Sequence, residues 1–210
     1  MKMGLLFGVL VLVSGCGGNN ISLERPTTGN IVFLGDSITR GYEVETTERY
    51  TALIESQLDA AGFTNYTVVN QGVDGDKTSD ALERLEAVLS VEPEIVVLAL
   101  GGNDFLRSRP LVETQANLNR IIENLVAENI EVILVGVSAP PLRGLSYSSN
   151  AKKMYQAVAD EHDLVFMPNI LKGMMLDQRY MQRDNIHPKV EGHQKIAENM
   201  WSYLEPSLRP

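Results

Sequence analysis

Short runs of consecutive apolar residues alternate along this chain with longer stretches in which apolar side chains recur every three or four positions. The runs predict strands near 30–35, 66–70, 94–100, 131–137 and 164–167. Val96-Val97-Leu98-Ala99-Leu100 and Val132-Ile133-Leu134-Val135 hold no polar position, as expected of central strands covered on both faces. The helical spacing predicts helices over 48–61, with Leu53, Ile54, Leu58 and Ala61 on one side and Gly62 as the stop, and over 78–90, with Leu82, Leu85 and Leu89. Further helices follow at 112–128, carrying Leu118, Ile121, Ile122 and Leu125, and at 149–161 and 189–204. Strict alternation of strand and helix predicts an α/β protein, a three-layer α/β/α sandwich around a five-stranded parallel sheet of flavodoxin-like order 2-1-3-4-5. Ligands of such sheets sit beyond the carboxyl ends of the strands, so the loops carrying Ser37, Gly72 and Asn103 are expected to meet at one rim.

The first residues do not belong to this pattern. Lys2 precedes an apolar stretch from Leu5 to Val13 that ends in Ser14-Gly15, the layout of a secretory signal and too short to span a bilayer. Val13-Ser14-Gly15-Cys16 resembles the bacterial lipobox, which implies that residues 1–15 are removed and that Cys16 carries the acyl chains. Residues 16–29, rich in Gly, Asn, Ser and Thr, read as a lipidated tether, and 30–210 as the folded domain. The expected location is the bacterial cell envelope, facing the periplasm. By the same resemblance Gly17, in place of a retaining aspartate, favours the outer membrane. An incidental cysteine in an ordinary secreted protein is the plainer reading. As the only cysteine among 210 residues, Cys16 also rules out an internal disulfide and a multi-cysteine zinc cluster.

The formal net charge is −9, with no basic stripe, which opposes binding to nucleic acid. Chemistry is concentrated elsewhere. The run Ile31-Val32-Phe33-Leu34 delivers Ser37 to a tight Gly35-Asp36-Ser37 turn, and Asp184-Asn185-Ile186-His187-Pro188 places an acid three residues before an imidazole. A serine hydroxyl needs a base to take its proton, and an aspartate on the other ring nitrogen fixes the tautomer. Of the three histidines, His162 and His193 are read as solvent-facing helix residues, which leaves His187.

Gly35-Asp36-Ser37-Ile38-Thr39, Asn70-Gln71-Gly72, Gly101-Gly102-Asn103-Asp104 and Asp184-Asn185-Ile186-His187-Pro188 occur in this order. Together they resemble the SGNH (GDSL) hydrolases, in particular their small bacterial branch of thioesterases, lysophospholipases and arylesterases. The resemblance implies Ser37 as nucleophile, His187 as base and later acid, and Asp184 as the orienting carboxylate. It also implies three oxyanion donors: the N–H of Ser37, the N–H of Gly72 and the side-chain amide of Asn103. The bland readings are a cap or turn for Asp184 and Asn103 and a turn glycine for Gly72. Asp36 and Asp104 are assigned to turn geometry and loop fixing. Asn185 in place of a glycine, and Gln71 with Asp74 around Gly72, depart from the family pattern and bear on the local turns and substrate preference.

Phe105, Leu106, Leu111, Leu142 and Leu145 are expected to line an acyl site. Gly75-Asp76-Lys77-Thr78 is not a P-loop, because Gln71 and Asp76 stand where glycines are required. The Gly-x-Ser-x-Gly elbow and the His-Glu-x-x-His zinc motif are absent, so neither cofactor nor metal is expected. The expected function is hydrolysis of carboxylic esters (aryl esters, lysophospholipids, thioesters) through an acyl-enzyme on Ser37. A carbohydrate O-acetyl esterase of the same fold, and a noncatalytic lipid-binding lipoprotein of the envelope, are the alternatives.

Overall fold

The computed structural model describes residues 29–138 and 144–209; Cys16, the proposed signal and nearly all of the tether, and Leu142, lie outside them. Five parallel strands, β1 (Gly29–Gly35), β2 (Tyr66–Gly72), β3 (Pro93–Ala99), β4 (Glu131–Val135) and β5 (Val165–Met167), form one sheet in the order β2-β1-β3-β4-β5. That is the predicted order. The described α-helices are α1 (Ser37–Arg40), α2 (Tyr50–Ala61), α3 (Thr78–Glu83), α4 (Leu85–Leu89), α5 (Gly102–Leu106), α6 (Leu111–Ala127), α7 (Leu145–Glu161) and α8 (Val190–Leu204).

The continuous apolar strands are buried on both faces because side chains alternate sides along them. Val32 and Leu34, Val96 and Leu98, and Val132 and Leu134 pack with α3, α4, α6 and α7. Ile31 and Phe33, Ile95 and Val97, and Ile133 and Val135 pack with α2 and α8. Each fully buried side chain of this kind contributes roughly 1.5–3 kcal/mol, which holds both helical layers against the sheet.

The predicted 78–90 helix is broken at Arg84, whose backbone leaves helical geometry (φ −102°, ψ 14°). Its guanidinium turns toward the sheet end, donating from Nε to Asp76 Oδ2 (2.7 Å) and from Nη2 to the carbonyls of Gln71 (2.9 Å) and Gly35 (3.4 Å). The interruption therefore serves the rim where Ser37 begins.

His193 departs from expectation. It is fully buried, with its ring stacked on Tyr50 at 5.9 Å and its Nδ1 accepting the Tyr50 N–H at 3.2 Å. The polar neighbours Glu191, Gln194 and Lys195 concealed that α8 turns position 193 inward with Ile196 and Ala197. His162 is half-buried where α7 ends.

Burial, with a smaller contribution from Arg49, pushes His193 down to about 4. The unfolded chain takes up this proton near pH 6.5 and the folded chain only near 4, so the stability is complete above pH 6.5 and is lost as pH falls toward 4. The loss amounts to about 3 kcal/mol. His193→Gln keeps an acceptor for the Tyr50 N–H and removes the titration. Urea unfolding at pH 7.5 and 4.5 is expected to show a smaller acid loss in this variant than in the wild type.

Candidate active site

β1 ends at Gly35, and Asp36 caps the short helix α1 by accepting the Ile38 N–H through Oδ1 at 3.0 Å. Ser37 is thereby the first residue of α1, at the carboxyl edge of the sheet. Its Oγ lies 2.9 Å from His187 Nε2, across 150 residues of sequence.

His187 is delivered by a loop closed at its base by the Met181–Pro188 bridge and by Gln182 N–H donating to His187 O at 2.8 Å. Within it Asp184 does two jobs. Oδ1 accepts the N–H groups of Ile186 (2.9 Å) and His187 (3.0 Å), shaping the turn, while Oδ2 lies 2.6 Å from His187 Nδ1. Asn185 takes φ 56°, a left-handed conformation that asparagine tolerates, and its Oδ1 accepts from Gln178 Nε2 at 2.7 Å. The departure from glycine is thus accommodated. Burial pushes the Asp184 carboxyl up, but hydrogen bonds from Ile186 and from the imidazole and backbone of His187 outweigh it and leave it below the ordinary range. An ionised Asp184 accepts Nδ1–H, so Nε2 presents a lone pair to the Ser37 hydroxyl.

Asn103 lies in α5, directly after β3, and its Nδ2 donates to Asp36 Oδ2 at 3.4 Å. One amide hydrogen is thereby oriented by Asp36 and the second is left for a ligand. Burial raises the Asp36 carboxyl to about 6, against the lowering by the Ile38 N–H and by His187. Asp104 fixes the neighbouring loop by accepting the N–H (2.9 Å) and the hydroxyl (2.7 Å) of Thr78.

Gly72 requires a correction. Its N–H, expected to face an oxyanion, donates to Asn70 Oδ1 at 2.9 Å. A Cβ at this position would collide with the backbone of Thr39 and Arg40, so glycine is needed for close packing of β2 against α1. Three residues later Gly75 sits in a turn at φ 79°, and among the described residues its N–H and that of Ser37 have no acceptor. The Val73 N–H bond to Gly35 O (3.1 Å) and the Asp76–Arg84 pair tie this turn to the rim. Gly75 stood in the sequence within the rejected P-loop-like string.

The acyl-site expectations divide. Phe105 is fully buried, edge-on to Tyr147 and Tyr155. Two residues apart on a helix point to opposite sides, so with Asn103 at the site Phe105 faces the core. Leu106, three residues from Asn103, shares its side of α5 and is 42% exposed. Leu111 is half-buried against the core, and Leu145 opens α7. Sequence reasoning missed Tyr42, whose ring lies 4.5 Å from the His187 ring, and Gln182, whose Nε2 donates to Tyr42 O at 3.1 Å. Nothing in their spacing signalled either. Among the described residues no cluster of His, Cys, Asp or Glu is arranged to hold a metal ion.

A serine at a sheet edge, an imidazole on its oxygen and a carboxylate on the far ring nitrogen, in a three-layer α/β/α domain, define a serine hydrolase. Residues 33–195 match the GDSL-like lipase/acylhydrolase family. The chain is 34% identical to Esterase TesA of Pseudomonas aeruginosa, over 94% of this chain and 98% of that protein. It is 30% identical to Thioesterase 1/protease 1/lysophospholipase L1 of Escherichia coli K12, over 89% of this chain and 88% of the relative. The crystal structure of the psychrotrophic esterase EstA from Pseudoalteromonas sp., inhibited by monoethylphosphonate, superposes with a TM-score of 0.80 at 26% identity, covering 86% of this chain and 98% of EstA. The protein belongs to the GDSL-like lipase/acylhydrolase family and is an ester-hydrolysing enzyme.

Proposed function

We propose that the protein is a lipid-anchored esterase of the bacterial envelope that cleaves carboxylic esters through an acyl-enzyme on Ser37. The observation that carries the mechanism is the continuous path from Ser37 Oγ to His187 Nε2 (2.9 Å) and from His187 Nδ1 to Asp184 Oδ2 (2.6 Å). As Ser37 Oγ bonds to the acyl carbon, its proton passes to Nε2. The carbon–oxygen bond to the leaving group then breaks, and the leaving oxygen departs with that proton. Water repeats the sequence in reverse roles, releasing the acid and freeing Ser37. The developing oxyanion is held by the N–H of Ser37, the N–H of Gly75 and the amide of Asn103, each such donor being worth roughly 3–4 kcal/mol.

Aryl esters, lysophospholipids and thioesters are the substrate classes suggested by the resemblance and by the names of the relatives, which favour ester cleavage over noncatalytic lipid binding. Leu106 supplies apolar surface beside Asn103 for the acyl chain. The envelope location rests on the lipobox-like Val13-Ser14-Gly15-Cys16, with two or more acyl chains needed for stable attachment. A nitrophenyl ester series from acetyl to long acyl tests the substrate reading: a burst of nitrophenol followed by turnover, with rates that change with chain length, is expected, and equal rates throughout contradict an acyl site. Cys16→Ser is expected to move the protein from the membrane to the soluble fraction; unchanged sedimentation contradicts the anchor.

The two glycines separate in their effects. Gly72→Ala forces a methyl into the Arg40 backbone and is expected to cost about 1–3 kcal/mol of stability. Gly75→Ala strains a positive-φ turn and is expected to lower kcat about tenfold or more, a part of what one lost donor costs, with a smaller shift in Tm. Wild-type kcat in Gly75→Ala contradicts its role.

A further inference from the structure

Ser37 and His187 reach each other from separate pieces of the fold. Ser37 opens α1 at the end of β1, whereas His187 stands in the loop before α8, and residues 183–186 of that loop are exposed. The base of the loop is fixed by the buried Met181 and by the Lys189 N–H bond to Tyr180 O at 2.7 Å. Among the described residues, two hydrogen bonds cross from this loop to α1 and the turn that follows it. One joins Ser37 Oγ to His187 Nε2; the other runs from Gln182 Nε2 to Tyr42 O at 3.1 Å.

Gln182 meets both sides of this junction. Its Nε2 donates to Pro188 O (3.2 Å) as well as to Tyr42 O, its N–H donates to His187 O (2.8 Å), and its carbonyl accepts the Asn185 N–H (3.1 Å). Tyr42 in turn donates its N–H to the carbonyl of Ser37 at 3.0 Å. One side chain therefore ties the backbone beside the nucleophile to the backbone on either side of the base.

The two crossing bonds differ in what the reaction does to them. The Ser37–His187 bond needs the serine hydrogen. Once Oγ carries the acyl group and the leaving oxygen has departed with the proton, Oγ has no hydrogen to donate. The neutral imidazole, its Nδ1–H held by Asp184, has none on Nε2 either. His187 must nevertheless stay beside the acyl carbon to take the proton of the attacking water. The Gln182 bond and the packing of the Tyr42 ring on the imidazole involve no reacting atom and persist.

We propose that Gln182 is a positioning residue whose amide keeps the His187 loop docked on α1 during the acyl-enzyme half of the cycle, when the bond between base and nucleophile is absent. The proposal rests on the acyl-enzyme reading above and assigns one residue mainly to its second step.

The test is stopped-flow hydrolysis of 4-nitrophenyl butyrate by the wild type and by Gln182→Met, which keeps the length of the side chain and removes both donors. The ratio kcat/KM counts only the steps up to nitrophenol release, so it reports acylation, whereas kcat includes hydrolysis of the acyl-enzyme. In Gln182→Met kcat is expected to fall about tenfold, part of the hundredfold that a 1 Å misplacement costs. KM is expected to fall with it, kcat/KM to change less than about threefold, and the burst to approach one nitrophenol per chain. Gln182→Glu has the same shape but turns an acceptor toward two carbonyls, and it is expected to show the same split, so the test does not depend on the folding of one variant. Equal falls in kcat and kcat/KM, or wild-type values of both, in a folded variant overturn the proposal. Wild-type turnover by Ser37→Ala overturns instead the acyl-enzyme mechanism on which it rests.

Discussion

Ser37→Ala is expected to lower kcat on a soluble ester by about a millionfold, the scale on which loss of a serine nucleophile is felt in hydrolases of this kind. The substitution removes one oxygen whose hydrogen-bond partner is His187 Nε2. The Asp36 cap of α1, the Ile38 N–H bond and the packing of Ile38 do not depend on that oxygen, so Tm should change little. The N–H of residue 37, the Gly75 turn and the Asn103 amide remain, so a residual rate about a thousandfold above the uncatalysed reaction is expected from binding and oxyanion stabilisation. Turnover within tenfold of the wild type, in a folded sample, would remove Ser37 from the chemistry.

Asp184→Asn is expected to cost about ten-thousandfold in kcat while leaving the loop in place. Asparagine retains Oδ1, the atom that accepts the N–H groups of Ile186 and His187 and shapes the turn. What changes is the atom opposite His187 Nδ1, where an acceptor becomes an NH₂ donor. The imidazole then carries its proton on Nε2 and presents no lone pair to Ser37 Oγ. Asp184→Ala should be the less stable of the two variants, because it also removes the turn acceptor. Equal kcat for wild type and Asp184→Asn would show that the 2.6 Å contact does not set the tautomer.

The sheet order and its central strands were legible because they depend on runs such as Val96 to Leu100, where burial on both faces leaves a simple mark in the sequence. The split of α3 from α4 was not legible. It depends on Arg84 reaching Gln71 and Gly35, contacts that exist only once the sheet has formed. His193 was misread because a polar residue among charges looks exposed until a helix phase is chosen; the apolar positions 196, 197 and 200 fix that phase and carry 193 inward. Phe105 was assigned to the substrate side by its neighbourhood to Asn103, although a two-residue step on a helix reverses direction.

The functional residues divide along the same line. Ser37, Asp184 and His187 stand in compact local strings, and each string announces its chemistry. Two glycines, at 72 and 75, occur in one loop, and only the bond from Gly72 N to Asn70 Oδ1 distinguishes a closed amide from an open one. Tyr42 and Gln182 act across a tertiary interface, where neither spacing nor residue type gives a signal.

The most direct measurement is peptide mapping after reaction with a fluorophosphonate, because phosphonylation needs the same activated oxygen as acyl transfer and no assumption about the natural ester. One adduct per chain is expected, on Ser37, forming orders of magnitude more slowly in His187→Ala. A folded, ester-hydrolysing sample that takes up no label, or takes it at another residue, would contradict the assignment of the nucleophile.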